Sequence, residues 1–162
     1  MPTDTDNPIW QQPAWVEWTQ LLLNSYQHWV GKDLVPRLNP LADSHTLFTA
    51  PFVTVSHGTE SNPLLNYGNQ TALDLWEMPL ANFLGTPSRE TAEPVHRDER
   101  SELLRRTTEH GFIDDYSGIR ISATGQRFRI HQATVWNILN SDEKVVGQAA
   151  AFSQWTPQGL RP

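Results

Sequence analysis

Three β-rich runs, at residues 112–122, 127–139 and 144–155, constrain this chain more than any other feature. In each run apolar and β-branched side chains alternate with polar ones, as a half-buried strand requires. Ala123-Thr124-Gly125-Gln126 supplies the first turn and Asn140-Ser141-Asp142-Glu143 the second, both built from residues that bend a chain. The pattern predicts a three-stranded antiparallel meander, the main part of the sheet of one α+β domain. A chain of 162 residues is the right size for one domain with its own core.

Upstream, the spacing predicts a helix over residues 13–30. Trp15, Trp18, Leu22, Tyr26 and Trp29 recur three and four apart, Pro13 suits the first turn and Gly31 the position past the end. This aromatic stripe must bury against the domain's own sheet or form a dimer contact. A short helix is expected near 41–48. Strands are expected at 52–56 and 64–67, with a turn at 57–63 between them. Asn69 is placed to cap a short helix ending at Trp76. Another helical turn follows at 80–84, and Thr86-Pro87 reads as a further helix start. Pro94 is expected to open a longer helix that runs to His110, with Gly111 as its cap. Leu103 and Leu104 are nearly its only aliphatics, so its inner face must include Arg100 or Thr107. The expected bounds are a flexible N-terminus at 1–12, a single domain at 13–156 and a tail at 157–162.

The first hairpin raises a charge problem. With Thr124-Gly125 as a two-residue loop, Ile121 faces Phe128 and Ile119 faces Ile130. On the other face Arg120 then opposes Arg129, and Ser122 opposes Arg127. Like charges directly opposed destabilise a sheet. Three resolutions stand open: an ion pair with Asp114, Asp115 or a helix carboxylate, an anionic ligand held by both guanidinium groups, or a bulge that breaks the register. Gly147, Ala149 and Ala151 on the third strand either let a helix approach closely or leave room for a ligand.

Composition removes several chemistries. With no cysteine there are no disulfides, no thiol catalysis and no Cys-rich zinc site. No run is apolar enough to span a bilayer and the first residues lack a signal-peptide pattern, so a cytoplasmic protein is expected. A net charge of −6 argues against direct nucleic-acid binding. Eight of the ten Arg lie between Arg89 and Arg129, but eight acids share that window. The six His form no HxH or HExxH spacing, so no metal is expected. Asp114 and Asp115 are adjacent and on a strand point to opposite faces, so they cannot serve one substrate atom as acid and base. No nucleophile elbow, Walker loop or GxGxxG occurs. The chain is not expected to be an enzyme.

Four blocks, NYGNQTALDLWEM, FLGTPSRETAEP, GFIDDYSGIRISATGQRFRIHQATVWN and GQAAAFSQW, occur in that order. Together they resemble the MEKHLA family, a PAS-like domain, over roughly residues 15–156. That family includes stand-alone bacterial proteins and the C-terminal domain of plant class III homeodomain–leucine zipper factors. No homeodomain or zipper is present here, so DNA binding does not carry over. The resemblance implies a PAS-like five-stranded antiparallel sheet with short helices over one face, preceded here by the amphipathic helix. It also implies a module that holds a small ligand between helices and sheet, or that serves dimerisation and signalling. Without cysteine, a flavin–cysteine adduct and a thioester-linked chromophore are both unavailable. His96 and His110 carry no recognisable haem motif.

The leading functional expectation is a non-catalytic sensory or small-molecule-binding module for an apolar ligand carrying an acidic group. Its pocket would draw on Trp76, Arg89, Arg100, Tyr116, Arg120, Arg129 and Trp136, aromatic walls with a few guanidinium groups. The alternatives are an interaction module that forms a homodimer through the N-terminal helix, and an enzyme with a scattered acid–base site.

Overall fold

The computed structural model describes residues 7–93 and 96–160. In chain order it contains α1 (Pro13–Val30), α2 (Pro40–Phe48), β1 (Val53–His57), β2 (Leu65–Gly68), α3 (Gln70–Trp76) and α4 (Leu80–Phe83). A 3-10 turn at Ser88–Thr91 leads to α5 (Arg97–His110), followed by β3 (Phe112–Ile121), β4 (Gln126–Leu139), β5 (Val145–Phe152) and β6 (Gln154–Leu160). The sheet is antiparallel with strand order β2-β1-β5-β4-β3, and β6 pairs with the first half of β4. The expected meander is therefore β3, β4 and β5, and the β1–β2 hairpin docks on its far edge through β1 and β5.

Three boundaries differ from expectation. The tail read from residue 157 instead continues β6 as far as Leu160, and residues 161–162 lie outside the described residues. In the stretch read as a flexible N-terminus, Ile9–Gln11 form a 3-10 turn and Ile9 and Trp10 pack on the core, whereas residues 1–6 lie outside the described residues. Helix α5 begins at Arg97, and Pro94 also lies outside them.

Helices cover both faces of the sheet, each over its own apolar cluster. One cluster joins α1 and α2 to Tyr67, Trp136, Ile138 and Ala149. The aromatic stripe of α1 packs there, on the domain's own sheet, with Trp18 and Trp29 half-buried. Leu22 and Leu23 are fully buried, Trp15 stacks on Tyr67 at 4.5 Å, and Tyr26 meets Trp136 edge-on at 5.0 Å. Gly31 ends α1 in the left-handed conformation, φ 85°. The second cluster places α3, α4 and α5 over Val53, Phe128, Ile130, Val135 and Phe152.

Asn69 holds this arrangement together. Its Oδ1 accepts from Ala72 N and Thr54 N, both at 3.1 Å, capping α3 and binding β1. Its Nδ2 donates to Leu47 O at 3.1 Å and Phe52 O at 2.8 Å. A fully buried side chain thus has both ends satisfied while tying α2, β1 and α3 at one point.

The first turn of the meander corrects the expected register. Ser122 N donates to Gln126 O at 2.9 Å, and Gly125 is left-handed at φ 91°, so the loop has three residues, Ala123-Thr124-Gly125. Arg120 consequently pairs with Phe128 and Ile119 with Arg129, one residue away from the expected match. The Arg120–Arg129 apposition does not occur.

Candidate functional site

The helices over the second cluster do not fill the space above the sheet. A cavity of about 70 Å³ lies between β1, β3, β4 and β5 below and α3, α4, α5 and the Ser88–Thr91 turn above. Its walls are mainly apolar: Leu65, Phe83, Leu103, Ile130, Val135 and Phe152. Five of the polar residues come from four elements. His57 closes β1, Trp76 ends α3, Arg100 lies on the inner face of α5, and Tyr116 and Arg120 alternate inward on β3.

Four of the seven residues expected at a binding site line this cavity: Trp76, Arg100, Tyr116 and Arg120. Three do not. Arg89 is exposed on the 3-10 turn. Arg129 pairs with Ile119 and Thr156 and lies on the opposite face from Arg120 and Phe128. Trp136 is fully buried under α1, where its Nε1 donates to Leu22 O at 3.2 Å. Gln132 explains its position. This residue is left-handed, φ 47°, and shifts the alternation of β4 by one place. Phe128 and Ile130 face the second cluster before it, Ala133 and Val135 after it, and Trp136 turns to the other side.

The charge problem reappears in a different place. Arg100 and Arg120 are both buried, each 7% exposed. Arg100 donates one N–H to Ser88 Oγ at 2.6 Å, and Arg120 one to Ile119 O at 3.1 Å. Among the described residues neither forms an ion pair with a carboxylate, and no Asp or Glu lines the cavity. Burial, and then the like charge of Arg120, bring the Arg100 guanidinium down to about 10. The Arg120 guanidinium lies over the Tyr116 ring, 5.3 Å from its centre. The Tyr116 hydroxyl is buried without a protein hydrogen bond, and burial pushes its pKa up against the pull of Arg120. It sits directly above Gly118, where a Cβ would collide with it.

Sequence reasoning missed His57, which it read as a turn residue. Its Nδ1 lies 2.9 Å from Gly58 O, and a carbonyl can only accept, so Nδ1 carries the proton. Nε2 is then a bare lone pair, buried and without a protein partner. Burial holds the imidazole below its usual pKa, partly offset by the Gly58 carbonyl. Trp76 Nε1 is likewise buried and unpartnered, with its ring edge-on to Phe128 at 5.2 Å. Gln148, also in the lining, was missed as well. Its Nε2 donates to Asn137 Oδ1 at 2.9 Å and to Thr108 Oγ1 at 3.1 Å. No sequence signal marks Gln148, because any inward polar residue on a strand looks the same. Among the described residues no three His, Asp or Glu gather as a metal site would need. No helix among them is long and apolar enough to cross a membrane.

The MEKHLA domain model matches residues 16–157, nearly the whole chain. The chain belongs to the MEKHLA domain family. A curated relative is the homeobox-leucine zipper protein ATHB-14 of Arabidopsis thaliana, 26% identical over 98 residues. That match covers 60% of this chain but only 12% of the plant protein's length. Among solved structures, the PAS domain of a protein from Colwellia psychrerythraea is similar with a TM-score of 0.61 and 12% identity, covering 74% of this chain and 94% of that one. A light-oxygen-voltage domain studied with a flavin analogue is similar with a TM-score of 0.57 and 19% identity, covering 72% and 84%. At such identities the likeness shows the fold alone, that of a PAS domain.

Proposed function

We propose that this MEKHLA domain is a non-catalytic sensory module that binds a small organic anion in the cavity under α5. The observation that carries the reading is the pair of buried arginines without a carboxylate partner, Arg100 and Arg120. An uncompensated buried charge costs several kcal/mol, and two close together cost more. An acid group between them would compensate both with charge-assisted, bidentate hydrogen bonds. The apolar walls would take the rest of the molecule. No acid and base converge on one point of the cavity, which favours binding without turnover.

The flavin of the light-oxygen-voltage neighbour does not transfer. This chain has no cysteine to form an adduct, and about 70 Å³ does not admit a tricyclic ring. An interaction role through α1 has less support, because Trp15, Leu22 and Tyr26 of the stripe are buried inside the domain and Trp18 and Trp29 pack half-buried against it.

Native mass spectrometry of gently purified protein, with thermal melts across a panel of small organic acids, tests the proposal. A ligand at a hundred times its Kd adds about 2.7 kcal/mol, a rise of roughly 5–10 °C for a domain of this size. An apo mass alone, with no melting shift for any acid, contradicts it.

A further inference from the structure

The cavity specifies its occupant more narrowly than as an anion. Its size comes first. An apolar cavity of about 150 Å³ takes a benzene, so about 70 Å³ is room for a small molecule only. That fits a short-chain acid and excludes fatty acids, nucleotides and fused rings. The donor inventory comes second. Arg100 and Arg120 offer only N–H groups, and they fix the position of the acid. His57 offers the opposite. Its proton is committed to Gly58 O, so its buried Nε2 can only accept. A ligand group beside it must therefore donate a hydrogen bond. An ammonium group would donate, but two guanidinium groups and no carboxylate line the cavity, so a second positive charge is disfavoured. A neutral hydroxyl meets the requirement. The two ends belong to one site, since His57, Arg100 and Arg120 line the same cavity.

We propose, building on the anion-binding reading above, that the ligand is a short-chain hydroxycarboxylate, its carboxylate on Arg100 and Arg120 and its hydroxyl donating to His57 Nε2. A site built around a buried acceptor rejects the analogue that lacks the hydroxyl, because the acceptor is then left unpaired.

The test is calorimetric titration of the intact protein at neutral pH with both enantiomers of lactate and of 3-hydroxybutyrate, each against propionate or butyrate. At least one hydroxy acid is expected to bind about tenfold or more tightly than its unsubstituted partner. His57→Leu should erase that preference while keeping carboxylate binding, and Arg120→Gln should abolish binding of both kinds. Circular dichroism checks that each variant is folded, and the wild-type comparison stands without them. Equal binding of hydroxy and unsubstituted acids, lost in Arg120→Gln, overturns the hydroxyl assignment and leaves the anion site intact. Absence of binding by every acid overturns both.

Discussion

Arg100 and Arg120 place two like charges in a setting that ordinarily holds none. Most of their N–H groups lack a protein acceptor, and the surrounding walls are apolar. Replacing a buried charge by a well-packed apolar group of similar length is often stabilising. Arg120→Met is therefore expected to raise the unfolding free energy of the unliganded protein by about 1–3 kcal/mol, read by urea denaturation, while removing the thermal response to organic acids. A loss of stability instead would make Arg120 a structural group. His57 supplies a second check through pH. Burial holds its folded-state pKa below the unfolded value near 6.5, so the unfolded chain binds the extra proton first. The contribution is whole above pH ~6.5 and is lost as pH falls from there through the folded pKa, with a slope of at most about 1.4 kcal/mol per unit. The neighbouring charges are Arg100, which opposes protonation, and Glu60, which favours it. Denaturation midpoints at pH 7.5 and 5.5 should separate in the wild type and draw together in His57→Leu. Glu77 and Asp43, both held below the usual carboxylate range, act only in more acid solution. Glu77 is held there by the Ser122 and Thr124 hydroxyls. At Asp43, burial is outweighed by Leu38 N–H, Arg37 and Gln20.

At the scale of elements, the parts set by local chemistry were legible in the sequence. Alternation and turn residues mark β3, β4 and β5. Asn69 marks the start of α3, and the scarcity of aliphatics in α5 marks Arg100 or Thr107 as inward, and both are buried. What was not legible depends on single backbone conformations. Ala123-Thr124-Gly125 and Thr124-Gly125 both put a glycine where a left-handed residue is needed. Only the Ser122–Gln126 hydrogen bond decides between them, and that one-residue difference changes every opposed pair of the hairpin. Gln132 is similar. Nothing in its type announces a left-handed residue within a strand, yet it moves Trp136 from the cavity face to the α1 face. Asn69 does more than cap α3, because removal would leave Thr54 N–H and the Leu47 and Phe52 carbonyls unpaired in the core. Asn69→Ala is expected to cost about 2–4 kcal/mol, read by thermal melting. A cost below 0.5 kcal/mol would mean that capping alone describes it.

In the whole molecule, the cavity and the N-terminal helix lie on opposite faces of one sheet and are joined by a hydrogen-bonded relay. Gln148, in the cavity lining, bonds Asn137 Oδ1, and Asn137 O accepts from Trp29 Nε1 on α1 at 2.9 Å. Asn137 also bonds the end of α5 through Thr107 O at 3.1 Å. A ligand that shifts Gln148 or α5 would thus be felt at α1, as the proposed sensory role requires. In the proposed function the arginines are matched by a ligand and not by the protein. A crystal structure of the purified protein grown with the best-binding acid tests this most directly. A carboxylate is expected between Arg100 and Arg120, within hydrogen-bond distance of both guanidinium groups. A protein carboxylate in that position, such as Glu99 turned inward from beside Gly118, with the acid absent, would contradict it.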